Sequence, residues 1–70
     1  MNKYEIILYW SEYDGAYIAE VPELSGCLAH GTTQVEALSN ANDAIALWID
    51  AAREFGRVVP VPKGRKLAYA

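Results

Sequence analysis

The chain has 70 residues and a net charge of −3 at neutral pH, and 53% of its residues are hydrophobic. This length allows one domain with a small core, and the acidic balance disfavours direct nucleic-acid binding, which usually needs a basic patch. The single cysteine excludes an internal disulfide and favours a reducing compartment, here the cytoplasm. No apolar run approaches the length that crosses a membrane.

Two β-strands are predicted at the start of the chain. The segment KYEIILYW (3–10) is rich in β-formers, and AYIAEV (16–21) is predicted as the return strand. Between them, the Asp14–Gly15 pair is a hairpin turn signal. Pro22 ends the second strand, because proline lacks the N–H that a central strand donates. One face of the first strand carries Tyr4, Ile6, Leu8 and Trp10.

A short third strand and a helix start are predicted next. The segment CLAH (27–30) is the strand, and Gly26 and Gly31 serve the turns at its two ends. Thr33 and Glu36 form the T-x-x-E spacing of a capping box, in which two side chains satisfy backbone N–H groups of the first turn. This spacing predicts that the helix begins at residue 34.

The predicted helix runs over 34–55 and has two different faces. Gly56 stands where a C′ glycine ends a helix. At about 100° per residue, one apolar stripe contains Leu38, Ala41, Ile45, Trp48, Ile49, Ala52 and Phe55. The opposite face carries Glu36, Asn40, Asp43, Leu47, Asp50 and Glu54.

The predicted element order is β-β-β-α-β, an α+β fold. The extended segment VVPVP (58–62) leads to a last strand, RKLAYA (65–70), which pairs most simply in parallel beside the first strand. A three-stranded antiparallel meander then has the helix on one face and no cover on the other. We therefore expect a homo-oligomer, a dimer or higher, formed through the exposed sheet face or edge, with Val59 and Leu67 contributing.

The only cysteine and the only histidine lie close together, at Cys27 and His30. A separation of three in a strand puts the two side chains on opposite faces, so they cannot form a catalytic dyad there. Cys27 is interpreted as a small core residue and His30 as a surface or edge residue. The sequence has no spacing typical of metal ligands. Two-metal nuclease chemistry requires several carboxylates at one site, and the strand acids Glu5 and Glu20 are not expected to converge with the helix acids. We expect no catalytic site, metal or cofactor.

The acidic face of the helix has two interpretations. Charged helix faces are commonly only solvated. Alternatively, the face is a docking stripe for a basic protein partner, in which Leu47 is an apolar anchor within a polar rim. The contact set of this second interpretation is Glu36, Asp43, Leu47, Asp50 and Glu54.

Five short motifs follow one another through most of the chain. They are Asp14-Gly15-x-Tyr17-x-Ala19, Val21-Pro22-Glu23-Leu24-x-Gly26-Cys27, Gly31-x-Thr33-x-x-Glu36-Ala37, Asn40-Ala41 and Pro60-x-Pro62. In this order they resemble the HicB antitoxin family of bacterial and archaeal toxin–antitoxin pairs. The resemblance implies a partial RNase H-like fold without catalysis. It also implies a partner, HicA, a small basic ribonuclease that cleaves mRNA and whose active site the antitoxin masks.

Many members of that family carry a C-terminal DNA-binding domain, of the ribbon-helix-helix or helix-turn-helix type. We expect residues 1–70 to form a single HicB-like domain without one, which puts autorepression by this chain alone in doubt. The leading hypothesis is thus an antitoxin that inhibits a HicA-type ribonuclease. The alternatives are a stand-alone oligomeric binding module without a toxin and, third, an enzyme acting through Cys27 or the carboxylates.

Overall fold

The computed structural model describes residues 3–64. They form strands β1 (Ile7–Ser11), β2 (Ala16–Glu20) and β3 (Leu28–Gly31), followed by helix α1 (Gln34–Glu54). The strands make one antiparallel sheet in the order β1-β2-β3, and α1 packs on one of its faces. The predicted three-stranded meander with one helix is confirmed. The fourth strand predicted at 65–70 lies outside the described residues. Within residues 3–64, no helix combines the length and the apolar character needed to cross a membrane.

The β1–β2 hairpin closes through a four-residue loop, residues 12–15, because Ser11 pairs with Ala16. The N–H of Gly15 donates to the carbonyl of Ser11 at 2.9 Å, and Gly15 has a φ of 62°, a left-handed conformation that glycine adopts without strain. The backbone N–H of Asp14 donates to the Ser11 hydroxyl at 3.1 Å. The predicted hairpin is therefore present, with a loop longer than the two-residue turn that Asp14–Gly15 typically makes.

Two consecutive turns connect β2 to β3. The N–H of Leu24 donates to the carbonyl of Val21 at 3.1 Å, and the N–H of Cys27 donates to that of Leu24 at 3.0 Å. Pro22 occupies the second position of the first turn, and Gly26, with a φ of 74°, the third position of the second. Because a ladder bond of 2.9 Å also joins the N–H of Val21 to the carbonyl of Cys27, the loop is compact.

The core lies beneath α1 and has two clusters, the larger against the loop between β2 and β3 and the smaller against the sheet. The larger contains Val21, Leu24, Cys27 and Ile45 and is flanked by half-buried aromatic and aliphatic side chains. The smaller consists of alanines only: Ala19, Ala37 and Ala41. Because alanine side chains are small, the helix backbone lies close to the strands at this cluster. Close backbone contact here, together with side-chain packing in the larger cluster, holds α1 on the sheet.

Gly31 marks the closest approach. A Cβ at this position would lie 2.5 Å from the backbone nitrogen of Ala37, closer than any real contact. The helix begins beside it: the Thr33 hydroxyl accepts the N–H of Glu36 at 3.1 Å, as predicted. The Glu36 carboxylate accepts the N–H of Thr32 at 2.9 Å, one residue earlier than in a standard capping box. In addition, the side-chain amide of Asn40 donates to the carbonyl of His30 at 2.8 Å and fixes α1 to β3.

The predicted apolar stripe of α1 is correct in its centre and wrong at its edges. Leu38 is 42% exposed and Phe55 73% exposed, whereas Ala37 is fully buried. The buried face is rotated toward Ala37, whose backbone lies against β3 at Gly31. The helix ends at Glu54, and Phe55 is the C-cap.

The C-terminus of α1 is closed by a Schellman motif. The N–H of Arg57 donates to the carbonyl of Ala52 at 2.7 Å, and that of Gly56 donates to the carbonyl of Arg53 at 3.2 Å. Gly56 has a φ of 68°, as the C′ position of this motif requires. The predicted helix stop at Gly56 is thus confirmed.

Candidate partner-binding surface

The outer face of α1 is a continuous acidic stripe. It runs from Glu36 to Glu54, which are 18 residues apart, or about 27 Å at 1.5 Å per residue. The helix contains four carboxylates and a single cation, Arg53, so its outer face is strongly negative. The residues predicted for this stripe are all exposed: Glu36, Asp43, Leu47, Asp50 and Glu54. The structure therefore brings the predicted contact set onto one surface.

Exposed apolar side chains lie among and beside these acids. Leu47 is 70% exposed in the middle of the stripe, and Val35 and Leu38 are exposed toward the start of the helix. Neither residue is among the predicted contacts. The periodicity predicts a core position for Leu38, and Val35 is on neither of the two predicted faces. Carboxylates around an exposed leucine match the arrangement of an apolar anchor within a polar rim, which the docking interpretation requires.

A second exposed apolar surface follows the helix and was missed from the sequence. Phe55, Val58 and Val61 are exposed, whereas Val59 and Pro60 are half-buried. The prolines indicated only an extended backbone, and no local signal told which side chains of the segment face solvent.

Glu23 fixes this C-terminal segment to the start of the chain. One carboxylate oxygen accepts the backbone N–H of Glu5 at 3.2 Å, and the other accepts that of Lys63 at 2.9 Å. The Tyr4 hydroxyl donates to the carbonyl of Pro60 nearby. The N–H donors of Lys63 and Glu5, together with the Lys63 charge, hold the pKa of the Glu23 carboxyl below its ordinary value.

The stability contributed by Glu23 is expected to depend on pH. Because its folded-state pKa is lowered, the stabilisation is complete above the ordinary value of 4.5 and is lost as the pH falls below it, through the folded-state pKa. Urea unfolding measured from neutral to acidic pH should show a steeper acid loss for the wild type than for Glu23→Gln. Glu54→Gln, on the outer helix face, is the control and should follow the wild type. Parallel curves for Glu23→Gln and the wild type would contradict this role.

The structure separates Cys27 from His30. Cys27 is buried in the larger core cluster, and burial raises the pKa of its thiol, which opposes formation of a reactive thiolate. His30 is exposed, and β3 places it on the other side of the sheet. Among residues 3–64, no group of three or more histidine, cysteine or acidic side chains could hold a metal ion.

The other predicted motif residues lie in turns, at the end of β3 or at the helix cap. They are Asp14, Gly15, Pro22, Gly26, Gly31 and Thr33.

Comparison with known proteins identifies the family. A model described as the HicB-like antitoxin of bacterial toxin–antitoxin systems matches residues 4–68. The chain is 38% identical over 58 residues to UPF0150 protein Ta0767 of Thermoplasma acidophilum, and the alignment covers 83% of each chain. It is 40% identical over 57 residues to UPF0150 protein ssr1765 of Synechocystis, covering 81% of this chain and 70% of the relative. No solved structure gives a significant match. Because the family model matches nearly the whole length, the chain belongs to the HicB-like antitoxin family.

Proposed function

We propose that this protein is an antitoxin that binds a small basic HicA-type mRNA ribonuclease and inhibits it by masking its active site. The observation that carries the proposal is the acidic outer face of α1, with Leu47 exposed at its centre, in a chain of an antitoxin family. The protein itself performs no catalysis and needs no cofactor. It acts in the cytoplasm through its HicB-like domain, on a scaffold of partial RNase H-like type.

The mechanism is steric occlusion combined with charge pairing. A ribonuclease holds the phosphates of its substrate with lysine and arginine side chains. The carboxylates of the α1 stripe present negative charges on a rigid helix, so they pair with the same cations and compete with RNA. Asp43 and Asp50 are seven residues apart, about 10 Å along the helix axis, and Leu47 lies between them. An apolar contact at Leu47 would exclude water and strengthen the flanking ion pairs.

The proposal is tested by co-expression with a small basic protein encoded beside this chain. The two proteins are co-purified, and RNA cleavage by the partner is assayed alone and in the complex. We expect a stable complex in which cleavage is suppressed. If no complex forms and the chain elutes as an oligomer of itself, the antitoxin proposal is wrong, and a binding module without a toxin replaces it.

Charge reversal on the stripe should weaken this complex. Asp43→Lys combined with Asp50→Lys is expected to lower toxin affinity by about 2–3 kcal/mol, roughly 30- to 150-fold, and to reduce the salt dependence of binding. Both positions are exposed, so the fold is retained. Isothermal titration at several salt concentrations measures both effects. Glu12→Lys, on the β1–β2 loop, makes the same charge change as either single variant and is their control for net charge. Unchanged affinity and salt dependence in the double variant would exclude the stripe as the docking surface.

The active form is proposed to be a homo-oligomer. The helix covers only one sheet face, and the described residues leave Ile7, Tyr9 and Leu28 exposed on the strands. Of the two side chains predicted at this contact, Val59 is half-buried, and Leu67 lies outside the described residues. Self-association through the sheet leaves the outer face of α1 accessible to the toxin.

A further inference from the structure

The sheet face opposite α1 is apolar at its centre. Side chains alternate along each strand, and Ile6, Leu8, Tyr17, Ala19 and Ala29 pack on the helix side. Ile18 therefore lies on the other face, directly opposite Tyr9 on β1 and His30 on β3. Ile18 is only 8% exposed, although it belongs to neither core cluster. Around it, Ile7, Tyr9 and Leu28 remain exposed.

The charges on this face favour a second copy of the chain as its occupant. The Glu20 carboxylate accepts a hydrogen bond from the Tyr9 hydroxyl at 3.0 Å, and this bond raises the pKa of Tyr9. His30 and Asp14 are the ionisable groups that line the depression on this face. If two copies met through their α1 helices, eight carboxylates would lie together and repel one another. If they met through their open sheet faces, few charges would lie together. A basic toxin would gain little from this face.

The face also contains a depression of about 310 Å³, lined by Asp14, Ala16, Ile18, Leu28 and His30. Its floor is aliphatic, and its polar groups are an imidazole and a carboxylate. The neighbour of Asp14 in the hairpin loop is Tyr13, an aromatic residue that is 99% exposed. A phenol ring suits such a depression, since its body is apolar and its hydroxyl needs a hydrogen-bond partner.

We propose that two copies pack through this open sheet face and that Tyr13 of each copy enters the depression of the other. The ring would contact Ile18 and Leu28, and its hydroxyl would bond to His30 or Asp14. A two-fold arrangement makes both insertions at once. This inference specifies the interface of the self-association proposed above and does not depend on toxin binding.

The oligomeric state of the full chain tests the interface. Sedimentation velocity over a concentration series should show a dimer for the wild type. Tyr13→Ala is expected to raise the dimer dissociation constant about tenfold or more, since buried tyrosines are common interface hot spots. Leu28→Glu, also at an exposed position, should do the same. Val35→Ala removes an exposed apolar side chain from the helix and should leave the constant unchanged. Circular dichroism verifies that each variant is folded.

A second measurement locates the contact directly. In a mixture of ¹³C-labelled and unlabelled copies, isotope-filtered spectra should show nuclear Overhauser effects from the Tyr13 ring to the methyl groups of Ile18 and Leu28. A monomeric wild type, or a dimer with no response to Tyr13→Ala and Leu28→Glu, would overturn the proposal. If the dimer responds as expected but no toxin binds, the antitoxin function fails and the interface stands.

Discussion

Replacing Gly31 with alanine is expected to lower the free energy of unfolding by about 3 kcal/mol. The added Cβ would lie 2.5 Å from the Ala37 nitrogen and 2.9 Å from the Glu36 carbonyl carbon. Both atoms are helix backbone, so no flexible side chain can move aside, and α1 must shift away from β3. The shift would also disturb the bond from Asn40 to the His30 carbonyl. Urea unfolding followed by circular dichroism, at one protein concentration, measures the loss.

Comparison with Gly15→Ala separates the steric cost of the added Cβ at Gly31 from the conformational cost of replacing a glycine. Gly15 has a positive φ but nothing within 4 Å of an added Cβ, so alanine there meets only backbone strain. Its cost should be about 1 kcal/mol, well below that at Gly31. Equal losses for the two variants, or a Gly31→Ala protein as stable as the wild type, would show that the close approach of α1 to β3 does not limit stability.

Truncation of Ile45 to alanine is expected to cost about 3 kcal/mol. Ile45 is 2% exposed and is the helix residue of the larger cluster, in contact with Val21, Leu24 and Cys27. The variant leaves a cavity between α1 and the loop after β2. Since the core of so small a domain supplies only about 3–5 kcal/mol, a large share of the protein should be unfolded at 37 °C.

Leu47→Ala is the matched control, because Leu47 lies two positions along the same helix and faces solvent. It should change the free energy of unfolding by less than about 0.5 kcal/mol. Should Ile45→Ala unfold completely, Ile45→Val still measures the site, with an expected cost of about 1 kcal/mol. If Leu47→Ala destabilised the protein as much as Ile45→Ala, the assignment of the two helix faces would be wrong. Leu47→Ala also tests toxin binding without loss of stability.

Features set by local chemistry could be predicted from the sequence. The Thr33 cap, the Gly56 stop and the Asp14–Gly15 hairpin each depend on residues within a few positions of one another. The exposure of the acidic stripe could be predicted as well, since helical periodicity alone puts its residues on one side. Toxin binding by the stripe is a property of the complex. In the sequence, only the family pattern indicates it.

Features set by tertiary contacts could not be predicted. Helical periodicity placed Leu38 in the predicted apolar stripe, which did not include Ala37. The structure reverses this choice: Ala37 lies against β3 beside Gly31 and is fully buried, whereas Leu38 is 42% exposed. Likewise, nothing near Glu23 in the sequence indicates that its carboxylate accepts N–H groups from residues 18 positions before it and 40 positions after it.

The Glu23 carboxylate has a consequence for engineering and for domain fusion. Because it binds the backbone at Glu5 and at Lys63, the two ends of the described part of the chain lie at the same corner. A tag or domain fused directly to residue 3 or to residue 64 would therefore start from one place, whichever of the two carries it. A short linker between residues 3 and 64 should give a circular permutant of the described part of the chain, with new termini elsewhere.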